Sequence, residues 1–208
     1  GWFVPPCGVP RLEDAVSRFL VKPPTRTSII AGYPWFTDWG RDTMIALPGL
    51  LLQAGRFAEA RDILLRYAEW TDGGMIPNRF TDESAVEYNT ADTTLWFFHA
   101  LDSYVKASGD GEIIERLLPR LAEIMDWHFR GTRFGIRADS DGLLFAGREG
   151  SQITWMDACV GGCPVTPRTG KPVEVNALWY NALCLMSYWT HADVYEDAAN
   201  LCPASGGG

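Results

Sequence analysis

Residues 90–129 read TADTTLWFFHALDSYVKASGDGEIIERLLPRLAEIMDWHF, which is two helical patterns separated by a short glycine-containing turn. In residues 90–108 apolar side chains recur every three or four positions, and Gly109 closes the pattern. Residues 111–129 repeat it, and Pro119 is expected to bend this second helix. A helical hairpin with an apolar face must stack on neighbouring helices to bury that face. This stretch therefore predicts an all-α domain assembled from paired helices.

Helical periodicity continues on both sides of this hairpin. It is present in residues 12–21, 42–54, 57–70 and 173 to about 199. Pro48 interrupts the second of these segments, and the last one is apolar on several faces at its start. With the two helices of the hairpin, the sequence predicts about six helices in all.

The connections between the predicted helices alternate between short and long. Gly55-Arg56 and Gly109-Asp110 join antiparallel helices, whereas residues 75–89 and 131–172 form long loops. In the second loop, residues 139–142 (DSDG) separate two short apolar runs, which predicts a small β-hairpin. Helix pairs with long loops at one end fit an open solenoid or a closed toroid with a pocket at the loop end. The toroid is favoured, because no repeat of ~34 residues is present.

The composition argues against several classes of partner. The net charge is −8 and the sequence pI is about 4.9, so the chain should repel nucleic-acid phosphates and anionic lipid. No stretch approaches the ~20 apolar residues of a membrane span, and the first residues lack the pattern of a signal peptide. Aromatic residues make up 12% of the chain and include nine Trp. Such rings fill cores, but they also pack against sugars in carbohydrate-binding sites. A neutral polymer such as a glucan would not be repelled by the negative charge of the chain.

The five cysteines are odd in number and scattered: Cys7, Cys159, Cys163, Cys184 and Cys202. This usage fits a reducing, cytoplasmic compartment better than a disulfide scaffold. Cys159 and Cys163 are spaced like half of a metal site, but no second pair or nearby His completes it. We therefore expect ordinary thiols and no metal.

The first of three polar clusters, AGYPWFTDWGRDT at residues 31–43, opens an apolar helix. Asp42 could serve as the N-cap of that helix. A cap requires neither Arg41 beside it nor the aromatic residues before it. An adjacent Arg and Asp instead offer donors and acceptors to the hydroxyls of a sugar. The residues alone leave both interpretations open.

The second cluster, EYNTADTTLW at residues 87–96, also leads from a loop into a helix. Thr90 could cap this helix, and Asp92 could stabilise its N-terminus through the helix dipole. A structural role and a role in a site are equally supported here.

The third cluster combines QITWMDA at residues 152–158 with TPRTGKPVEVNALWYN at residues 166–181. Asp157 lies among apolar and aromatic neighbours, where desolvation would raise a carboxyl pKa as a general acid requires. The alternative is a solvated or capping carboxylate. Glu174 and Asn176 lie near the start of the last helix, where a Glu could simply complement the dipole.

In this order and spacing, the three clusters resemble the amylo-α-1,6-glucosidase domain at the C-terminal end of glycogen debranching enzymes. The similarity extends from about residue 11 to 190 and rests on residues 32–51, 73–80, 88–96, 131–136, 154–158 and 166–182. The resemblance implies an all-α barrel of six helical hairpins, an (α/α) toroid. It also implies hydrolysis of single α-1,6-linked glucose stubs of glycogen or limit dextrin, with inversion and without metal or organic cofactor.

The resemblance also implies roles for individual residues. Asp157 matches the general acid, and Arg41 and Asp42 match the pair that holds the terminal glucose in related glucoamylase-like barrels. Five more residues fall on pocket positions of the family and are expected to contribute to substrate binding: Trp39, Asn89, Asp92, Trp155 and Glu174.

The chain departs from the family after the Asp157 motif. An inverting glycosidase needs a second carboxylate ~6.5–9.5 Å from the acid, and the resemblance implies that this base lies beyond residue 208. Residues 1–208 are therefore expected to be about half of the barrel, an incomplete catalytic domain that is inactive alone, with residues 203–208 as an unstructured tail. Residues 159–164 interrupt what should be a simple linking loop.

Two alternatives come from other classes. One is a non-catalytic helical fragment that binds carbohydrate or acts as a scaffold. The other is a different toroid enzyme, such as a trehalase or an oligosaccharide glucosidase. The pairing of WGRD at residues 39–42 with TWMD at residues 154–157 argues against that second alternative.

Overall fold

The computed structural model describes residues 12–21, 27–32, 36–80 and 86–202, without the side chains of Leu12, Glu13 and Ala15. The tail at residues 203–208, Cys7 and part of the first cluster (residues 33–35) lie outside the described residues. The described α-helices are α1 Leu12–Phe19, α2 Gly40–Leu47, α3 Phe57–Glu69, α4 Thr93–Ser108, α5 Glu112–Arg130, α6 Val173–Thr190 and α7 Asp193–Leu201. A π-helical turn, Pro48–Leu52, extends α2.

The predicted hairpin of helices forms as α4 and α5. Gly109 ends α4 with φ 74°, and its N–H bonds to the carbonyl of Val105 at 2.9 Å. A left-handed residue at this position is the usual way to end a helix, and Gly adopts it without a steric penalty. The buried side chains of α5 recur at helical spacing: Ile113, Ile114, Leu117, Leu121, Ile124, Met125 and His128.

The helices form two layers. In the first, α4 packs against both α2 and α6. In the second, α3 packs against α5. Between the layers, α3 contacts α4, and α5 contacts α6. Helices adjacent in sequence thus alternate between layers, which is the arrangement of a toroid with an inner and an outer ring. The predicted all-α fold class is confirmed, and the two layers are consistent with part of an (α/α) toroid.

The long final helix was predicted wrongly. The pattern from residue 173 to about 199 is divided into α6 and α7, because His191 has φ 53° and ψ 32° and ends α6. The hydroxyl of Thr190 donates to the carbonyl of Met186 at 2.6 Å and accepts from the N–H of Ala192 at 3.2 Å. This side chain replaces helical hydrogen bonds at the break.

Four antiparallel pairs of two-residue strands occur within the described ranges, where one hairpin was predicted. They are β1 Leu20–Val21 with β2 Ser28–Ile29, β3 Arg79–Phe80 with β4 Val86–Glu87, β5 Arg137–Ala138 with β6 Leu144–Phe145, and β7 Cys159–Val160 with β8 Cys163–Pro164. The third pair is the predicted hairpin around residues 139–142. The first pair takes the end of the segment predicted as a helix at residues 12–21. Strands of two residues are too short to leave a periodic signal.

Trp179 and Asn176 attach the β5–β6 hairpin to α6. Asn176 accepts from the N–H of Leu144 at 2.7 Å and donates to its carbonyl at 3.1 Å. The fully buried Trp179 donates its Nε1–H to the carbonyl of Gly142 at 3.1 Å. Asn176 therefore has a structural role, and the loop that precedes α6 has a fixed position. None of the helices in the described ranges is both long and apolar enough to cross a bilayer.

Candidate functional site

The site residues lie where α2, α4 and α6 of the first layer begin. Arg41 and Asp42 are in the first turn of α2, Asp92 is the N-cap residue of α4, and Glu174 is in the first turn of α6. The loop carrying Asp157 reaches this end of the layer, because the N–H of Ala91 bonds to the carbonyl of Ile153 at 2.7 Å. The three clusters found in the sequence thus meet at one edge of the fold.

Arg41 and Asp92 form a two-pronged ion pair. Nε and Nη2 of Arg41 donate to the two carboxylate oxygens of Asp92 at 2.9 and 3.0 Å. The side chains are 15% and 3% exposed. Burial raises the pKa of Asp92, and the charge and hydrogen bonds of Arg41 act in the opposite direction. Asp92 therefore fixes the orientation of Arg41 and has no surface of its own to offer a ligand.

Asp157 lies on the other side of Arg41. Its Oδ2 is 3.9 Å from Nη1 of Arg41, the nitrogen that does not face Asp92. The Asp157 side chain is 52% exposed. The expectation that apolar neighbours would desolvate this carboxyl is therefore wrong for the described chain. Trp155 and Asp157 are both exposed to solvent, whereas Ile153 and Thr154, which precede them, are buried.

The loop around Asp157 is held by its own polar groups. The amide of Gln152 donates to the carbonyl of Ala158 at 2.6 Å, and the N–H of Met156 bonds to the hydroxyl of Thr154 at 3.3 Å. The unexplained residues 159–164 that come next are the β7–β8 hairpin, which turns at Gly161 and Gly162, both with positive φ. A tight exposed hairpin therefore stands directly beside Asp157.

Asn78 supports the second and first clusters together, and sequence reasoning did not identify it. This buried residue accepts the N–H of Gly40 on its carbonyl at 2.7 Å, and its side-chain amide donates to Oδ1 of Asn89 at 2.8 Å. The hydroxyl of Thr93 donates to Oδ1 of Asn78 at 3.3 Å. Asn89 is exposed and is held in place by Asn78. A buried brace of this kind depends on tertiary contacts and gives no local sequence signal.

Two arginines that the sequence did not single out cover the tryptophans of the site. The guanidinium carbon of Arg79 is 5.1 Å from the centre of the Trp39 ring, and that of Arg168 is 5.9 Å from the Trp155 ring. Arg168 also bonds to Glu174 through Nη2 and Oε1 at 2.5 Å. Trp155 and Glu174 are thereby brought together, although they are nineteen positions apart in the chain.

Asp42 follows Arg41 in the chain, but the ion pairs of Arg41 are with Asp92 and Asp157. The capping interpretation of Asp42 is wrong, because α2 begins at Gly40 and Asp42 is the third helical residue. Its side chain is exposed. For α4 the N-cap residue is Asp92 and not Thr90, whose hydroxyl donates to that of Thr93 at 2.7 Å.

Within the described ranges, no group of three or more His, Cys, Asp or Glu side chains is arranged to hold a metal ion. Cys159 pairs with Pro164 and Cys163 with Val160 across the β7–β8 hairpin. Neighbouring residues of a strand point to opposite faces, so the two thiols do not face each other. A surface groove lies between α3 and α5, beside Leu117 and Pro119, and away from the site.

Two comparisons with known proteins found matches to this sequence. A family model described as amylo-alpha-1,6-glucosidase matches residues 14–202. A curated relative, the glycogen debranching enzyme of Saccharomyces cerevisiae, is 30% identical over 216 residues. That match covers 75% of this chain and 14% of the yeast enzyme, so the chain spans a small part of the relative's length.

Proposed function

This chain belongs to the amylo-alpha-1,6-glucosidase family, and from that premise we propose that it carries the acid side of a glucosidase active site. The proposed substrate is a single glucose joined by an α-1,6 bond to glycogen or a limit dextrin, hydrolysed with inversion. The observation that supports this most is the series of contacts from Asp92 through Arg41 to Asp157, at the edge where two helices of the first layer begin.

Asp157 is the general acid of the proposed reaction. It donates its proton to the glycosidic oxygen as the bond to the anomeric carbon breaks, so that the dextrin leaves as an alcohol. Oδ2 of Asp157 is 3.9 Å from Nη1 of Arg41. Asp92 holds the same guanidinium through two hydrogen bonds, so in this proposal Asp92 and Arg41 help to place the carboxyl of Asp157 at the bond that breaks.

Arg41 and Asp42 are the proposed ligands of the terminal glucose. Asp92 occupies Nε and Nη2 of Arg41, so Nη1 is the nitrogen available on the Asp157 side. Consecutive residues of an α-helix project ~100° apart, so Arg41 and Asp42 would contact different edges of the sugar rather than one pair of neighbouring hydroxyls. In this proposal Asp92 acts by holding Arg41 and does not touch the sugar.

Inversion also requires a base that activates water ~6.5–9.5 Å from the acid. Asp92 is a poor candidate, because both of its oxygens accept from Arg41 and its side chain is 3% exposed. We propose that the base comes from protein outside these 208 residues, which would also enclose the open side of the site. The chain would then form about half of a closed toroid and be inactive alone.

The test uses the whole protein encoded by the gene that carries this sequence, called here the whole gene product. Incubated with a glucosyl-branched dextrin and followed by proton NMR, it should release β-glucose before the anomers equilibrate. The 208-residue chain alone should release none. If α-glucose were the first anomer released, the result would contradict inversion. Binding of the dextrin without release would favour the non-catalytic alternative, and cleavage of trehalose in its place would favour a trehalase.

A further inference from the structure

The two tryptophans of the site share the same local environment. Trp39 lies two residues before Arg41, and Trp155 lies two residues before Asp157. Each indole has one face covered by an arginine, Arg79 at 5.1 Å and Arg168 at 5.9 Å. Each tryptophan therefore packs against an arginine and precedes a charged residue of the site by two positions in the chain.

Each of the two arginines is in turn oriented by a glutamate. Nη1 of Arg79 is 3.9 Å from Oε2 of Glu87, its cross-strand neighbour in the β3–β4 pair. Nη2 of Arg168 is 2.5 Å from Oε1 of Glu174. A guanidinium that is held by a carboxylate and stacked on an indole fixes the plane of the ring.

Both arginines also carry an unusual cost. The Nε atoms of Arg79 and Arg168 are buried and have no hydrogen-bond partner among the described residues. A buried donor left unpaired lowers stability, so such atoms are rare unless another requirement keeps them in place. Holding an indole at a binding edge is such a requirement.

We propose that Arg79 and Arg168 are positioning residues that hold Trp39 and Trp155 as flat platforms for the glucose rings of a bound α-glucan. The C–H face of a sugar packs on an aromatic ring, and the 52% exposure of Trp155 leaves the ring accessible to such a partner. A ring already fixed in its bound orientation loses less freedom when the sugar binds. This inference rests on the proposed function, because it takes an α-glucan as the ligand.

The experiment compares arginine variants of the whole gene product in binding a glucosyl-branched dextrin, measured by calorimetry, and in its turnover. Arg79→Met and Arg168→Met should each raise Kd and KM about 2- to 5-fold, with kcat nearly retained, since the cation–ring contact is modest at exposed sites. Arg→Lys at either position should restore only part of the affinity, because lysine keeps the charge without the planar group.

Arg137→Met is the matched control. Arg137 stacks on Phe145 at 5.2 Å and faces Asp139 at 3.9 Å, but it lies on β5, which packs against α5. Its variant should bind the dextrin with parental affinity. Parental affinity in both Arg79→Met and Arg168→Met would overturn the inference, as would equal weakening in all three variants. If the unsubstituted protein binds no dextrin, the proposed function fails as well, and that result is seen before any substitution is made.

Discussion

His128 should make the stability of this fold depend on pH. The residue is buried on α5, where its ring stacks on Trp179 with centres 5.8 Å apart. Its Nδ1 is 2.8 Å from the carbonyl of Ile124, so the neutral ring donates its Nδ1–H there. Burial lowers the pKa of His128 to about 4, from an ordinary value of 6.5. The folded protein thus keeps this ring neutral under conditions in which the unfolded chain protonates it.

The difference between the folded and unfolded pKa of His128 sets the sign and size of its contribution to the free energy of unfolding. Between pH 6.5 and 4 the unfolded chain binds a proton that the folded protein does not, so the contribution of His128 is complete above pH 6.5 and is lost as the pH falls towards 4. At ~1.4 kcal/mol per pKa unit, the loss is about 3 kcal/mol. His128→Phe keeps an aromatic ring against Trp179 and removes the titration.

The assay is urea unfolding of the parent and the variant at several pH values between 7 and 4. The free energy of unfolding of the parent, minus that of His128→Phe, should fall by about 3 kcal/mol across this range. Carboxylates that titrate in both proteins cancel in the difference. Met125→Leu, a volume-conserving change on the same buried face, should keep the pH dependence of the parent. A parent-minus-variant difference that does not change with pH would refute the reasoning.

The packing and charges of the described residues support three further predictions. Gly40→Ala should destabilise the fold by ~1–3 kcal/mol in chemical denaturation, because its Cβ would overlap the carbonyl oxygen of Pro77; Gly49→Ala, whose Cβ meets no described atom within 4 Å, is the control and should not destabilise. The 208-residue chain should self-associate and bind a hydrophobic dye, because Val173 and Tyr188 of α6 are 81% and 72% exposed. Tyr188→Lys should weaken this association. A chain that is monomeric by light scattering and binds no dye would contradict the prediction. Asp92→Asn should raise KM of the whole gene product for a glucosyl-branched dextrin, because Arg41 would lose the carboxylate that orients it towards the sugar. An unchanged KM would contradict this role.

The parts of the fold that could be predicted are those encoded over ten or more residues. The apolar period of α4 and α5 and the glycine that ends α4 gave the helical hairpin its correct position. The break between α6 and α7 could not be predicted, because it depends on the hydroxyl of Thr190 and one left-handed residue, His191. The two-residue strands likewise depend on pairing with distant residues.

The site shows the same division. The sequence indicated three loops leading into helices, and the structure brings Arg41, Asp92 and Asp157 from them into contact. The sequence did not indicate that both carboxylate oxygens of Asp92 would bond to Arg41, because residues 51 positions apart give no local pattern. The arginines behind the tryptophans were missed for the same reason.

The measurement that tests the central proposal most directly is the rate of Asp157→Asn in the whole gene product. The change keeps the size of the side chain but removes the proton that an acid must deliver. On a glucosyl-branched dextrin kcat should fall ~10²–10⁴-fold with little change in substrate binding. On glucosyl fluoride, whose leaving group needs less protonation, the variant should retain much more of its rate. Asp42→Asn, the matched control, should weaken binding and turnover on both substrates alike. If Asp157→Asn hydrolyses the branched dextrin at near the parental rate, Asp157 is not the acid, and Glu174 becomes the residue to test.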